Sequence, residues 1–393
     1  MKIQKDWGVE EELPEEIIEK ILLKMAIKEL IRCSAVCKSW NSLIKNPRFI
    51  QTHFKNQTDD DNSEPLLLLS SFESDDLHRD DPAALFGHYS NLLNPIHNHN
   101  KSNPTNRLSY RVVGTCNGLV CICSYRDPCL PVILWNPSIR KFRFLPSPSR
   151  SSRRSRTTDC DWNENYFFGY DSRINDYKVV RIVKESYLGP TVEVEVWSLA
   201  RGGAWKRLQN NVPAGFAPHL YDHACVKGAF HWVQGHETNQ AEEEKEFVFL
   251  IVAWDVVDES FRNVEIRQAK RKCKPFISRY HGDGDQCRLA LFEDLGYSSF
   301  DLWVMMEYGV AESWTKLFNI CLLASPREGH YIRPFGFTKS GQVVGIFNDG
   351  TLKSYDPKDK QLKDFGNPEY VYLFMDSFVE SLVLLGQTNV FSY

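Results

Sequence analysis

One pattern recurs along most of this chain and limits what it can fold into. The segments WNPSIRKFRFL from Trp135, WDVVDESFRNV from Trp254 and YDPKDKQLKDF from Tyr355 align without gaps. Each starts on an aromatic followed by Asn or Asp. An apolar residue follows seven positions on (Phe142, Phe261, Leu362), then a basic one (Arg143, Arg262, Lys363), and an apolar one ten positions on (Leu145, Val264, Phe365). Two looser copies, VWSLARGGAWKRL around Trp197 and Trp205 and LWVMMEYGVAESWTKL around Trp303 and Trp314, carry insertions between the two apolar ends. The aromatics at 135, 197, 254, 303 and 355 therefore mark a unit of roughly 55 residues.

Each copy reads as a hairpin: a strand ending in an aromatic, a turn in which an Asx side chain bonds its own backbone, and a second strand. Three copies have a further apolar run upstream, introduced by glycine: NGLVCI at Asn117, KGAFHWV at Lys227 and SGQVVGIF at Ser340. That makes about four strands per unit. Such a unit cannot cover both of its faces, and radial stacking into a β-propeller is the usual solution at this period, with a large β-sandwich as the alternative. Five copies are visible. The chain ends, PLLLLSSF at Pro65 and SFVESLVLLG at Ser377, supply material for a sixth, so the expectation is five to six blades.

Residues 13–54 follow another rule. Pro14 suits a first helical position, and Glu15 and Glu16 complement the positive end of a helix dipole. Ile17, Ile21 and Met25 form one i, i+4 row and Ile18 with Leu22 the next. Val36, Cys37, Trp40, Leu43 and Ile44 continue at spacings of three and four, with a shorter helix through Leu30 and Ile31. A unit of about 40 residues is near the lower limit for independent folding, so its apolar stripes need another surface. The polar, acidic run KNQTDDDNSE that follows has the composition of a linker, which favours docking on a separate protein over packing on the rest of the chain.

Bulk properties narrow the function. A formal net charge of −4 over 393 residues provides no field for nucleic acid. No signal-peptide core or apolar run of membrane-spanning length is present, so a soluble protein of the cytoplasm or nucleus is expected, with no membrane partner. Eleven cysteines, scattered mostly through apolar runs, read as reduced core thiols, and the CxC at Cys121 and Cys123 lacks the second pair a zinc site needs. No GxSxG, GxxxxGK[ST], HExxH or GxGxxG occurs, so no catalytic residue, metal or cofactor is expected. His219, Asp222, His223 and His231 lack a nucleophile and read as loop or core residues. HGDGD at 281–285 reads as a turn, and His97 and His99 as an exposed loop. The basic clusters SRSSRRSRTT (149–158) and KRKCK (270–274) fit solvated loops, with nuclear import left open. EEEKE at 242–246 fits an insertion at a blade edge.

The N-terminal stretch resembles the F-box, in Leu13-Pro14, Ile21-Leu22, Val36-Cys37-Lys38 with Trp40, Leu43-Ile44, and Pro47 with Phe49. The remainder resembles the plant F-box-associated β-propeller domain, in Cys116 to Leu119, Trp135 to Pro137 and Phe168 to Asp171. The resemblance implies a mainly β protein with a small α domain: a three-helix F-box at 9–54, a linker at 55–64 and a kelch-like β-propeller at 65–393 that binds the substrate. It further implies the substrate-recognition subunit of an SCF-type cullin ubiquitin ligase, acting by proximity rather than by covalent chemistry. The partners would be a Skp-type adaptor and, through it, cullin and RING proteins, together with a protein target. Adaptor docking would fall to Leu13, Pro14, Ile17, Ile21, Leu22, Val36, Cys37 and Trp40. Met25 and Ala26 replace the usual Leu-Pro before the second helix, which would let the first helix run on. The competing class is a ligand-binding propeller or propeller enzyme in which the helices are a packing element, and a deep axial pocket lined by polar side chains would mark it.

Overall fold

The computed structural model describes residues 13–58, 66–70, 110–124, 130–148, 164–184, 192–209, 223–237, 247–266, 270–271, 275–281, 287–296, 299–321, 332–338, 341–347, 351–364 and 374–392. Four short helices come first: α1 (Glu15–Leu22), α2 (Ile27–Cys33), α3 (Lys38–Ile44) and α4 (Pro47–Thr58). Three were expected. The fourth exists because Asn46 and Pro47 stop α3 and restart the chain. The Arg48 amide donates to Asn46 Oδ1 at 2.9 Å, and Pro47 takes the first helical position, where its missing N–H is harmless. α4 also continues to Thr58, into the segment expected to be linker.

Helix α1 does not run on despite the missing proline. Ala26 is extended (φ −64°, ψ 151°), and the Lys24 and Met25 amides close tight turns on Ile21 and Leu22. The break is held from outside the turn: His53 Nε2 on α4 donates to the Met25 carbonyl at 2.8 Å. Ile27, on the far side of the break, is buried.

The rest is a β-propeller of five four-stranded antiparallel sheets. Blade I comprises Tyr110–Cys116, Leu119–Ser124, Ile133–Asn136 and Lys141–Phe144, and blade II Glu164–Asp171, Asp176–Lys184, Val192–Ser198 and Lys206–Leu208. Blade III comprises His223–Val226, Ala229–Glu237, Phe247–Asp255 and Ser260–Val264, with Lys270–Arg271 added beside its third strand. Blade IV comprises Phe276–His281, Cys287–Gly296, Ser299–Met305 and Trp314–Cys321, and blade V Ile332–Phe337, Val343–Phe347, Leu352–Tyr355 and Leu362–Asp364. All five marker aromatics, Trp135, Trp197, Trp254, Trp303 and Tyr355, fall in the third strand of their blade, so the repeat has one structural phase. Trp135, Trp197 and Trp254 are fully buried.

The ring closes with both ends of the chain. Strand Leu66–Ser70 pairs antiparallel with Phe374–Phe378, and the latter lies between the first strands of blades V and I. This two-stranded sheet occupies the sixth position. A short terminal strand, Phe391–Ser392, then adds to the outer edge of blade I.

Asx turns account for the sequence repeat. The Ser138, Val257 and Lys358 amides donate to Asn136, Asp255 and Asp356 Oδ1 at 2.9 to 3.0 Å. In each the residue four after the Asx, Arg140, Glu259 and Lys360, has φ between +51° and +60°. A fourth copy, invisible in the alignment, joins the first two strands of blade II: the Arg173 amide donates to Asp171 Oδ1, and Asn175 has φ +52°.

Neighbouring blades meet through aromatic and aliphatic side chains. Phe167 of blade II lies 5.4 to 5.5 Å from Phe230 and Trp232 of blade III, and Phe292 of blade IV stacks on Phe337 of blade V at 5.2 Å. Charge also bridges two blades. Lys178 of blade II, 3 % exposed, reaches Asp171 Oδ2 (2.9 Å), Glu259 Oε1 (3.0 Å) and the Val256 carbonyl (2.9 Å), the last two in blade III. The ammonium thus sits between two carboxylates and one carbonyl.

Candidate functional site

The helical unit divides its apolar residues between two sides. One i, i+4 row of α1 carries Ile17 and Ile21, 41 % and 48 % exposed, and Leu13 one turn earlier is 58 % exposed. The adjacent row faces inward, with Ile18 half-buried and Leu22 1 % exposed. Val36, 66 % exposed, lies in the turn before α3, and Cys37 forms the extended N-cap of that helix (φ −152°) rather than a helical turn. Trp40 in the first turn of α3 is half-buried.

Seven of the eight residues expected at the docking face, Leu13, Pro14, Ile17, Ile21, Val36, Cys37 and Trp40, therefore present surface to solvent. Leu22 does not. Its side chain packs with Ile27, Leu30, Ile44 and Phe49, so it holds the helices together and contributes no outward area. The sequence could not separate Ile21 from Leu22, because adjacent helical residues both belonged to apolar rows.

Four aliphatics, Leu13, Ile17, Ile21 and Val36, are more than two-fifths exposed on this small unit. Charged residues lie near them in the sequence. Glu15 and Glu16 occupy the first turn of α1, Lys20 the last, and Arg32 pairs with Glu29 at 2.8 Å. The Cys37 thiol is exposed, and hydrogen bonding to Ser39 (Sγ to Oγ 3.1 Å) holds it below the ordinary thiol range.

The inward side is covered by the same molecule. Leu22, Ile27, Leu30, Ile44 and Phe49 share one buried cluster with Leu382, Leu384 and Leu385 near the C-terminus and with Leu119 and Leu134 of blade I. This differs from the expectation of a detached unit: the helices rest on the propeller through one stripe and expose the other. Nothing in the sequence signalled that residues 381–386 would meet residues 22–49.

The propeller motif residues turn out to be architectural. Asn117 and Gly118 (φ +48° and +75°) make the two-residue turn between the first strands of blade I. Asn136 Nδ2 donates to the Ser381 and Val383 carbonyls at 2.9 and 2.7 Å. Burial pushes the Cys116 and Cys121 thiols up, and those of Cys225 and Cys287 to about 11, as befits inert core residues.

Of the histidine group, His219 and Asp222 lie outside the described residues. His223 packs edge-on to Phe167 at 5.3 Å. His231 is fully buried, which lowers its pKa to about 4. Its Nδ1–H donates to the Ala224 carbonyl (3.2 Å), leaving Nε2 to accept from the Tyr308 hydroxyl (2.7 Å), which in turn accepts from Arg262 (2.7 Å). The chain of bonds ties blade III to blade IV. Residues 97, 99, 149–158, 242–246, 272–274 and 282–285 lie outside the described residues. Among the described residues no three His, Cys, Asp or Glu side chains group as a metal would require, and no helix is long and apolar enough to cross a membrane.

Comparison with known families matches residues 11–52 to the F-box domain and residues 63–366 to the F-box associated beta propeller domain. The chain belongs to the F-box associated β-propeller family. Within it, the F-box protein CPR1 of Arabidopsis thaliana is 27% identical over 391 residues, 95% of this chain and 89% of that protein. The F-box/kelch-repeat protein At3g23880 of the same plant is 27% identical over 352 residues, covering 86% of each. This is thus a plant-type F-box protein, and its exposed stripe falls within the F-box match.

Proposed function

We propose that this F-box protein is the substrate-recognition subunit of an SCF-type cullin ubiquitin ligase. In this reading a Skp-type adaptor covers Leu13, Pro14, Ile17, Ile21, Val36, Cys37 and the accessible part of Trp40, and brings cullin and RING proteins with it. The propeller recruits a protein target, in the cytoplasm or nucleus. The observation that carries the reading is the division of the helical unit: one apolar stripe is sealed, and the other, inside the F-box match, is open.

Function then follows from proximity. Holding a target near a charged ubiquitin carrier raises the effective concentration of its lysines, and the receptor needs no reactive group of its own. Leu13, Ile17, Ile21 and Val36 are 41 to 66 % exposed, so each would supply about half of the roughly 1.5 to 3 kcal/mol of full burial when the adaptor covers it, before the cost of association.

Changing Leu13 and Pro14 together to Ala tests the docking arm. Co-purification with a Skp-type adaptor is expected to fall sharply while the thermal unfolding of the propeller stays unchanged. Retention of the adaptor at wild-type yield would refute the assigned face.

A further inference from the structure

The last residues of the chain leave the innermost strand Phe374–Phe378, cross blade I, and end as Phe391–Ser392 on its outermost edge. Between them, Ser381, Leu382, Leu384 and Leu385 are buried where blade I meets the helices, and residues 386–389 are exposed. On the blade side, Asn136 Nδ2 donates to two carbonyls of this segment, Ser381 (2.9 Å) and Val383 (2.7 Å). The approach at Gly118 is so close that a Cβ there would lie 2.3 Å from Ser381 Oγ and 2.7 Å from the Val379 carbonyl. At the far end, Phe391 stacks on Phe142 at 5.5 Å.

On the helix side, Leu382 and Leu384 are 1 % exposed within the cluster that also buries Leu22, Ile27, Leu30, Ile44 and Phe49. Gly386 has φ +90°, and a Cβ built on it would lie 3.2 Å from the Lys45 side chain at the end of α3. Leu384 has φ +75°, a left-handed conformation that is unfavourable for a bulky residue and persists only where the surroundings over-determine it. The surroundings here are the helices and blade I together.

We infer that Ser381–Ser392 is a strap that clamps the F-box to blade I, fixing the angle between the adaptor-binding face and the target-binding propeller. Asn136 and Gly386 are its positioning residues. This rests on the ligase reading for its purpose, but the clamp itself is a property of the free chain. A receptor that works by proximity gains from such rigidity, because a wandering target spreads its lysines over a larger volume and lowers their effective concentration.

The test is a distance distribution between spin labels placed at Lys28 on α2 and Glu312 in blade IV, both exposed, in the full-length chain. A single narrow separation is expected for the wild type. It should broaden in Gly386→Val, which keeps every blade contact of the strap, and in a chain ending at Glu380. Adaptor affinity and the melting of the propeller should be unchanged in Gly386→Val, since Gly386 faces Lys45, which is none of the residues assigned to the adaptor. A broad distribution in the wild type, or a narrow one retained in Gly386→Val, would overturn the strap. Loss of adaptor binding by the wild type would instead count against the ligase reading and leave the distance result intact.

Discussion

The helical unit and the blades treat their apolar residues in opposite ways. In the blades, hydrophobic side chains are consumed by neighbours: Trp135, Trp197 and Trp254 are sealed, and even Lys178, Arg181 and His231 are buried with partners. In the helices, Leu13, Ile17, Ile21 and Val36 are left open within a few turns of the sealed Leu22, Ile27 and Leu30. A propeller has a neighbour for every sheet face, because the ring returns on itself. A unit of four short helices has an inside and an outside but no ring, so a second stripe stays uncovered unless another protein covers it. The difference predicts that damage to a blade appears as lost stability, and damage to the outer helical stripe as lost binding.

The comparison breaks most visibly at Lys178. Removing it in Lys178→Ala leaves the buried Asp171 without its cation, while Glu259 keeps Lys206 at 3.1 Å, at a cost of about 3 kcal/mol. Burial opposes ionisation of Asp171, and Lys178 overrides it, keeping the carboxyl below its usual range. Calorimetry should show a markedly lower propeller melting temperature, with adaptor binding intact at temperatures where the chain is folded.

Next in size is an acid effect at His231. Its folded pKa of about 4 lies below the ordinary 6.5, so between those values the unfolded chain binds a proton that the folded chain does not. Its contribution is therefore complete above pH 6.5 and is lost as pH falls through 4, by about 3 kcal/mol in all. Denaturant titrations of the wild type and His231→Gln at pH 7 and pH 4.5 should show the smaller pH slope in the variant. Equal slopes would mean that the bond to Tyr308 is not a buried neutral contact.

Within the helices the comparison sharpens to two adjacent residues. Leu22→Ala should cost at least about 2 kcal/mol, because it empties a sealed site. Ile21→Ala should cost less than about 0.5 kcal/mol of stability and weaken adaptor binding instead. Hydrogen exchange of the α2 and α3 amides separates the two outcomes.

Much of this was legible in the sequence. The recurring aromatic–Asx pattern announced strand three and its turn because the Asx bond and the left-handed fifth residue are local requirements, satisfied within five residues. Closure was legible in part: the run from Pro65 supplies one closing strand, but its partner is Phe374–Phe378, overlapping the expected run from Ser377 by two residues, and Leu382 to Leu385 of that run pack against the helices instead. What depends on distant residues was not. The end of α1 relies on His53, twenty-eight positions away, and the sealing of Leu22 relies on Leu382 to Leu385. The periodicity gave two apolar rows on α1 but carried no sign of which one the C-terminal segment would take. For the candidate face, residue types and spacing named eight residues but could not tell which are accessible: seven are, and tertiary packing buries Leu22.

The most direct test of the account is a calorimetric titration of a Skp-type adaptor into the full-length wild type and into Ile17→Arg/Val36→Asp, with the melting temperature of each recorded alongside. The account predicts saturable binding by the wild type, none detectable in the double variant, and equal melting temperatures, because both charges land on surface that is already exposed. Equal affinity in the two proteins, or a melting temperature that collapses with the binding, would contradict it.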